Sequence, residues 1–159
     1  MDITFNNAAE YLSKLRMTFY VMVGFPLLAF VIIYALSREG QYPAPFPEVA
    51  DWVMVAIPAT CAVLTIYAYI NYFKQLKGAK QLAGLREKLT EYYQISFTKF
   101  AVLETGTVLN LLAYGLTGHA VFSGVYIAML ILFAMNNPSY YTVVGALKLP
   151  KEQRETMRD

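Results

Sequence analysis

One carboxylate stands where chemistry would be expected. Glu104 is the tenth residue of an apolar run, 95–116, in a chain of 159 residues. Ten residues of helix rise about 15 Å, so if the run crosses a bilayer the carboxyl lies near mid-hydrocarbon, where an ionised side chain costs several kcal/mol. Such a group is expected to be protonated, enclosed by protein or water, and functional by default. Thr107, Leu111 and Tyr114 follow it at i+3, i+7 and i+10 on the same helical face. A carboxyl, a hydroxyl and a phenol on one stripe are the material of a proton or ion path, or equally of a polar junction that fixes one helix against another. The stripe accommodates either role. Lys99 is five residues before Glu104, about 140° round the helix, so its long side chain is expected to reach the inner interface rather than the carboxylate. No second carboxylate lies in any apolar run to complete a relay.

The other reactive residue types point away from catalysis. The only histidine, His119, sits in a turn, where a solvated side chain is expected, and no second histidine exists to help hold a metal. The only cysteine, Cys61, lies inside an apolar run and is expected to serve packing; no disulfide within one chain is possible. No nucleophile, histidine and acid constellation and no phosphate-binding glycine loop occurs. The sequence is therefore read as a non-enzyme without a cofactor or metal.

The elements that position Glu104 are long and apolar. Hydrophobic residues make up 57% of the chain and charged residues 15%, with a mean hydropathy of +0.41, so a soluble fold would expose most of its apolar surface. Four runs, about 17–36, 52–73, 95–116 and 120–136, match the roughly 20 residues that a spanning helix needs. Of the thirteen Lys and Arg residues, only Arg38 falls on the far side of these runs. Lys14 and Arg16 precede the first, Lys74, Lys77, Lys80, Arg86 and Lys88 separate the second from the third, and Lys148, Lys151, Arg154 and Arg158 follow the fourth. By the positive-inside rule both termini and residues 75–94 are cytoplasmic, and the fold is an all-α integral membrane bundle of four helices forming one domain. The basic residues meet headgroups in this scheme, so the net charge of +2 gives no reason to expect nucleic acid.

Between the runs, the residues carry local instructions. Asn7 and Glu10 have capping-box spacing, which starts the first helix near Ala8. Pro43, Pro45 and Pro47 favour an extended outer loop, with Tyr42, Phe46 and Trp52 suited to the headgroup belt. Leu82, Leu85, Leu89 and Tyr92 recur at helical spacing within 75–94, which predicts an amphipathic interfacial helix that Gly78 and Gly84 would interrupt. Gly24-Phe25-Pro26 and Pro58 are expected to kink or tilt their helices, and Asn136-Asn137-Pro138 to break the fourth. Thr117-Gly118-His119 is so short that it forces an antiparallel hairpin. A faint repeat sets Tyr34-Ala35-Leu36 against Tyr114-Gly115-Leu116, and Ala62, Leu64, Ala68 and Asn71 against Ala128, Leu130, Ala134 and Asn137. It leads to the expectation of two duplicated helical hairpins in the same orientation, with a carboxylate in the second where the first has Gly24.

Leu103-Glu104-Thr105-Gly106, then Leu112-Ala113-Tyr114-Gly115-Leu116-Thr117-Gly118, then a run ending in Asn137-Pro138 with a polar tail over 147–154, resembles a family of small, uncharacterised bacterial four-helix membrane proteins. The resemblance covers mainly the second half. It implies the bacterial inner membrane as location and carries no activity with it. A carboxylate in a duplicated hairpin is also distantly similar to the proteolipid subunits of rotary ATPases. This chain departs from them because its carboxyl is on the outgoing helix and the glycine-repeat stripe of ring helices is missing. The expected partners are the lipid bilayer and either other membrane subunits or further copies of the chain. Two functions follow as expectations: a structural or accessory subunit, and an oligomeric proton- or ion-handling unit using Glu104.

Overall fold

The computed structural model describes Phe5 and residues 7–157, and every regular element among them is helical. Arg158, one of the basic residues used for topology, lies outside the described residues. Six helices follow in order: α1 (Ala8–Arg38), α2 (Asp51–Gln81), α3 (Leu85–Thr117), α4 (Ala120–Met135), α5 (Tyr140–Leu147) and α6 (Lys151–Thr156). Three of them, α1, α2 and α3, are long and apolar enough to cross a membrane, and a fourth crossing is reached if α4 and α5, bent by 77°, count as one.

The helix ends follow from the residues found there. Asn7 caps α1 by accepting the Glu10 N–H at 2.8 Å, while Glu10 itself pairs with Lys14 at 2.7 Å. Helices α1 and α2 run unbroken through Pro26 and Pro58. Gly118 ends α3 in the left-handed region at φ 71, where its N–H donates to the Tyr114 carbonyl at 2.7 Å. A Cβ there would also sit 3.3 Å from Ala44, so the stop requires glycine twice over. Asn136 and Pro138 end α4 as the sequence leads one to expect, and Ser139 restarts the chain as α5 by accepting the Thr142 N–H.

α3 is the hub, and it packs on α1, α2 and α4. Gly115 faces Ile33 of α1 and Gly106 faces Cys61 of α2. Those glycines are nine residues apart, which is about 180° round an α-helix, so α1 and α2 lie on opposite sides of α3. They barely meet each other. This corrects the expected pair of equivalent hairpins: α3 and α4 form one, whereas the arms of the first are separated. The physical reason is the proline loop, which crosses the α3–α4 turn, with Phe46 N–H donating to the Leu116 carbonyl at 2.9 Å and His119 Nε2 lying 2.9 Å from the Pro47 carbonyl. Large aromatic rings fill the space between α1 and α4: Phe19 with Phe133, and Phe30 stacked on Tyr126 at 4.3 Å.

Residues 75–94 form no helix of their own, which corrects the expected interfacial helix. Gly78 is inside α2, the break falls at Leu82, Ala83 and Gly84, and the two halves extend α2 and α3. Leu89 and Tyr92, whose spacing implied a surface-lying face, are instead buried in a layer at this end of the bundle. Tyr11 and Leu15 of α1, Leu76 of α2, and Val143 and Leu147 of α5 complete it. The layer is continuous with Phe19, Phe100, Leu103 and Phe133 towards the middle of the bundle, whereas Phe30, Leu111, Tyr114, Phe122 and Tyr126 form a second cluster towards the other end.

Candidate functional site

α3 buries an arc of Leu103, Gly106, Thr107, Asn110 and Tyr114, and Glu104 stands half-buried at its edge. The carboxyl atom Oε2 is enclosed and has no hydrogen-bond partner among the described residues. Tyr126 of α4 interacts electrostatically with Glu104. Its side chain is 0% exposed, and its hydroxyl likewise has no partner. Two polar groups on adjacent helices, each capable of donating a proton and each enclosed, therefore stand near one another at the depth that the sequence assigned to Glu104 alone.

The other two residues of the expected stripe do not join them. Thr107 is buried, but its hydroxyl donates to the Leu103 carbonyl at 3.0 Å, a bond within its own helix. Tyr114 lies nearly three turns farther along and packs its ring on Phe30 and Tyr34 of α1, with centroids 5.7 and 6.3 Å away. A shared helical face is necessary for convergence but does not produce it, because neighbouring helices meet α3 at different heights.

Sequence reading missed Asn110. Its side chain is 0% exposed, and Nδ2 donates to the Gly106 carbonyl at 3.0 Å and to Cys61 Sγ at 2.6 Å, while Oδ1 has no partner. Cys61 Sγ in turn donates to the Gly106 carbonyl at 3.2 Å. Gly106 leaves little room here: a Cβ would lie 3.5 Å from Met129 Cε and 3.6 Å from Cys61 Sγ, at ordinary contact distance, and a longer side chain would push α2 away. The signal was available: an amide in the middle of an apolar run carries the same warrant as a carboxylate. Cys61 thus fills the packing position expected of it, with the addition of a polar bond to the hub.

Lys99 also departs from expectation. It does not extend outward; it is 7% exposed, and its ammonium donates to Asn136 Oδ1 at 2.9 Å above the ring of Tyr72 at 4.1 Å. Phe100 and Tyr69 complete an aromatic cage at 5.2 and 5.8 Å. The break after α4 is the reason: Asn136 turns back into the bundle, donating to Tyr69 Oη at 2.6 Å and the Leu132 carbonyl at 2.7 Å, and so presents its own oxygen to Lys99.

Compared with known proteins, the chain matches no protein family, no curated protein and no solved structure.

Proposed function

We propose that this chain is a multi-pass protein of the bacterial inner membrane, a four-span bundle with both termini cytoplasmic, acting as a structural or accessory subunit of a larger membrane assembly. The observation that carries the reading is the unshared surface of α1 and α2. In their most apolar stretches only 17% and 11% of residues are buried within the chain, against 56% for α3. Val21, Phe25 and Leu28 on α1, and Val55, Ile66 and Ile70 on α2, are all exposed apolar side chains. Lipid alone satisfies such faces, yet two opposed helices that lean on one hub and not on each other also offer two separate surfaces to neighbouring helices. No catalysis is part of the reading. Photo-crosslinking from Ile66 and Ile70 in native membranes is the test. Adducts with different polypeptides support a heteromeric subunit, whereas lipid adducts alone, together with a monomeric mass in mild detergent, refute it.

A second reading has an observation of its own. The enclosed Glu104 carboxyl and Tyr126 hydroxyl, neither with a partner, support an oligomeric unit in which Glu104 handles protons or ions. Four helices enclose little water, so this reading requires a closed ring of copies, visible as a defined homo-oligomer.

A further inference from the structure

A cleft of about 390 Å³ opens sideways between α2 and α4. Pro58, Cys61 and Thr65 line one wall, and Val125, Met129 and Leu132 the other. The two helices run towards the same end of the bundle, as the Thr65 hydroxyl donating to Met129 Sδ at 3.7 Å and Asn136 donating to Tyr69 indicate. One turn beyond Thr65 is Tyr69, and one turn beyond Leu132 is Asn136. Tyr69 and Asn136, both half-buried, therefore stand one turn past the lined part of the cleft, with the Lys99 ammonium 2.9 Å from Asn136 Oδ1. From Pro58 to Tyr69 is eleven residues, about 16 Å of helix, long enough to lie along part of an acyl chain.

The charge at the inner end is what selects an occupant. An ammonium has three donors, yet among the described residues Lys99 pairs with no carboxylate, and Asn136 Oδ1 and aromatic ring faces are what it meets. A buried cation is stable when an anion shares its site. An apolar cleft leading towards a cation that has no carboxylate partner has the two halves of an amphiphile in the right order. We infer that this cleft binds one anionic phospholipid of the inner leaflet, an acyl chain lying between α2 and α4 and the phosphate at Tyr69, Asn136 and Lys99. The site would tie one lipid to the bend between α4 and α5. The inference rests on the membrane reading proposed above.

Native mass spectrometry of the full chain in detergent, with phosphatidylglycerol or phosphatidylcholine added, tests it. Wild type is expected to retain one phosphatidylglycerol at least about tenfold more tightly than phosphatidylcholine. Lys99→Met should abolish that preference, and Ala128→Phe, which fills the cleft without touching the cage, should lower retention of both lipids. Circular dichroism and elution volume report whether each variant folds; if Lys99→Met does not, Ala128→Phe decides alone. Equal retention of the two lipids by wild type, or unchanged retention by Ala128→Phe, overturns the inference. Displacement of the lipid by millimolar inorganic phosphate overturns it too, by reassigning the site to a soluble anion. Resistance of the chain to alkaline carbonate extraction from membranes is measured separately, so failure of the membrane reading is distinguishable from failure of the lipid site.

Discussion

Replacing Glu104 by leucine should make the isolated chain more stable, not less. One carboxyl oxygen is enclosed without a partner, and leaving a polar group in that condition costs about 1–3 kcal/mol. Leucine has a similar volume and no such group. It gives up no hydrogen bond seen among the described residues, so the expected gain in a monomer is about 1–3 kcal/mol, reduced by any mismatch of the branched side chain against its neighbours. Glutamine keeps the shape and a donor, so Glu104→Gln should stay within about 1 kcal/mol of wild type. The assay is equilibrium unfolding of detergent-solubilised monomer by sodium dodecyl sulfate, followed by helical circular dichroism. A loss of more than about 1 kcal/mol in Glu104→Leu would refute the reasoning, since it would mean that the carboxyl has a partner which the chain itself supplies. The same variants separate the functional readings. In proteoliposomes with an enclosed pH dye, a proton-handling oligomer loses proton flux in Glu104→Gln while retaining its oligomeric mass. If Glu104 only joins helices, Glu104→Gln preserves the assembly and its cellular role together.

Cysteine introduced at Gln41, which is exposed in the proline loop, should react with an impermeant maleimide in intact cells, and cysteine at Gln81 should not; labelling of Gln81 in sealed cells contradicts the orientation. Gly106→Ala should be tolerated because its Cβ meets Met129 and Cys61 at ordinary contact distance, whereas Gly106→Ile should destabilise the monomer by about 1–3 kcal/mol in the same unfolding assay. Equal stability of the two would mean that α2 is not held against α3 at that point. Gln153 accepts from Lys88 Nζ and donates to the Ala83 carbonyl, both at 3.3 Å, so Gln153→Ala should release α6 and speed tryptic cleavage at Arg154, with unchanged cleavage rates counting against docking of the tail.

The apolar runs were legible because hydropathy and helix length are local properties, and α1, α2 and α3 contain the first three of them. The Asn7 cap, the Gly118 turn and the break at Asn136 were legible for the same reason, since each is decided by a few consecutive residues. What failed was the pairing of helices. Leu82, Leu85, Leu89 and Tyr92 announce an apolar face but not what covers it, and a lipid surface and the α5 helix present the same demand. Lys99 is the sharper case. Its fate is set by Asn136, thirty-seven residues away, and that oxygen is available only because the helix break turns it inward. Glu104 was legible as unusual; that Tyr126, rather than Thr107 or Tyr114, stands near it depends on the height at which α4 meets the hub.

The central position of α3 has a consequence for how the chain comes into being. Synthesis delivers α1 and α2 first, and they barely meet each other, so few of the bundle's tertiary contacts can form until the third helix leaves the ribosome. From Gln81 to Thr117 is thirty-six residues, about 2–7 s at ordinary elongation rates. If the chain inserts as proposed, the first two helices spend that interval beside the translocon and its lipid border, with little to hold them to each other. A nascent chain from which α1 and α2 have emerged and α3 has not should show these two helices crosslinking to the insertion machinery and scarcely to each other. Released past Gly118, the same chain should lose those crosslinks as soon as the hub arrives between them.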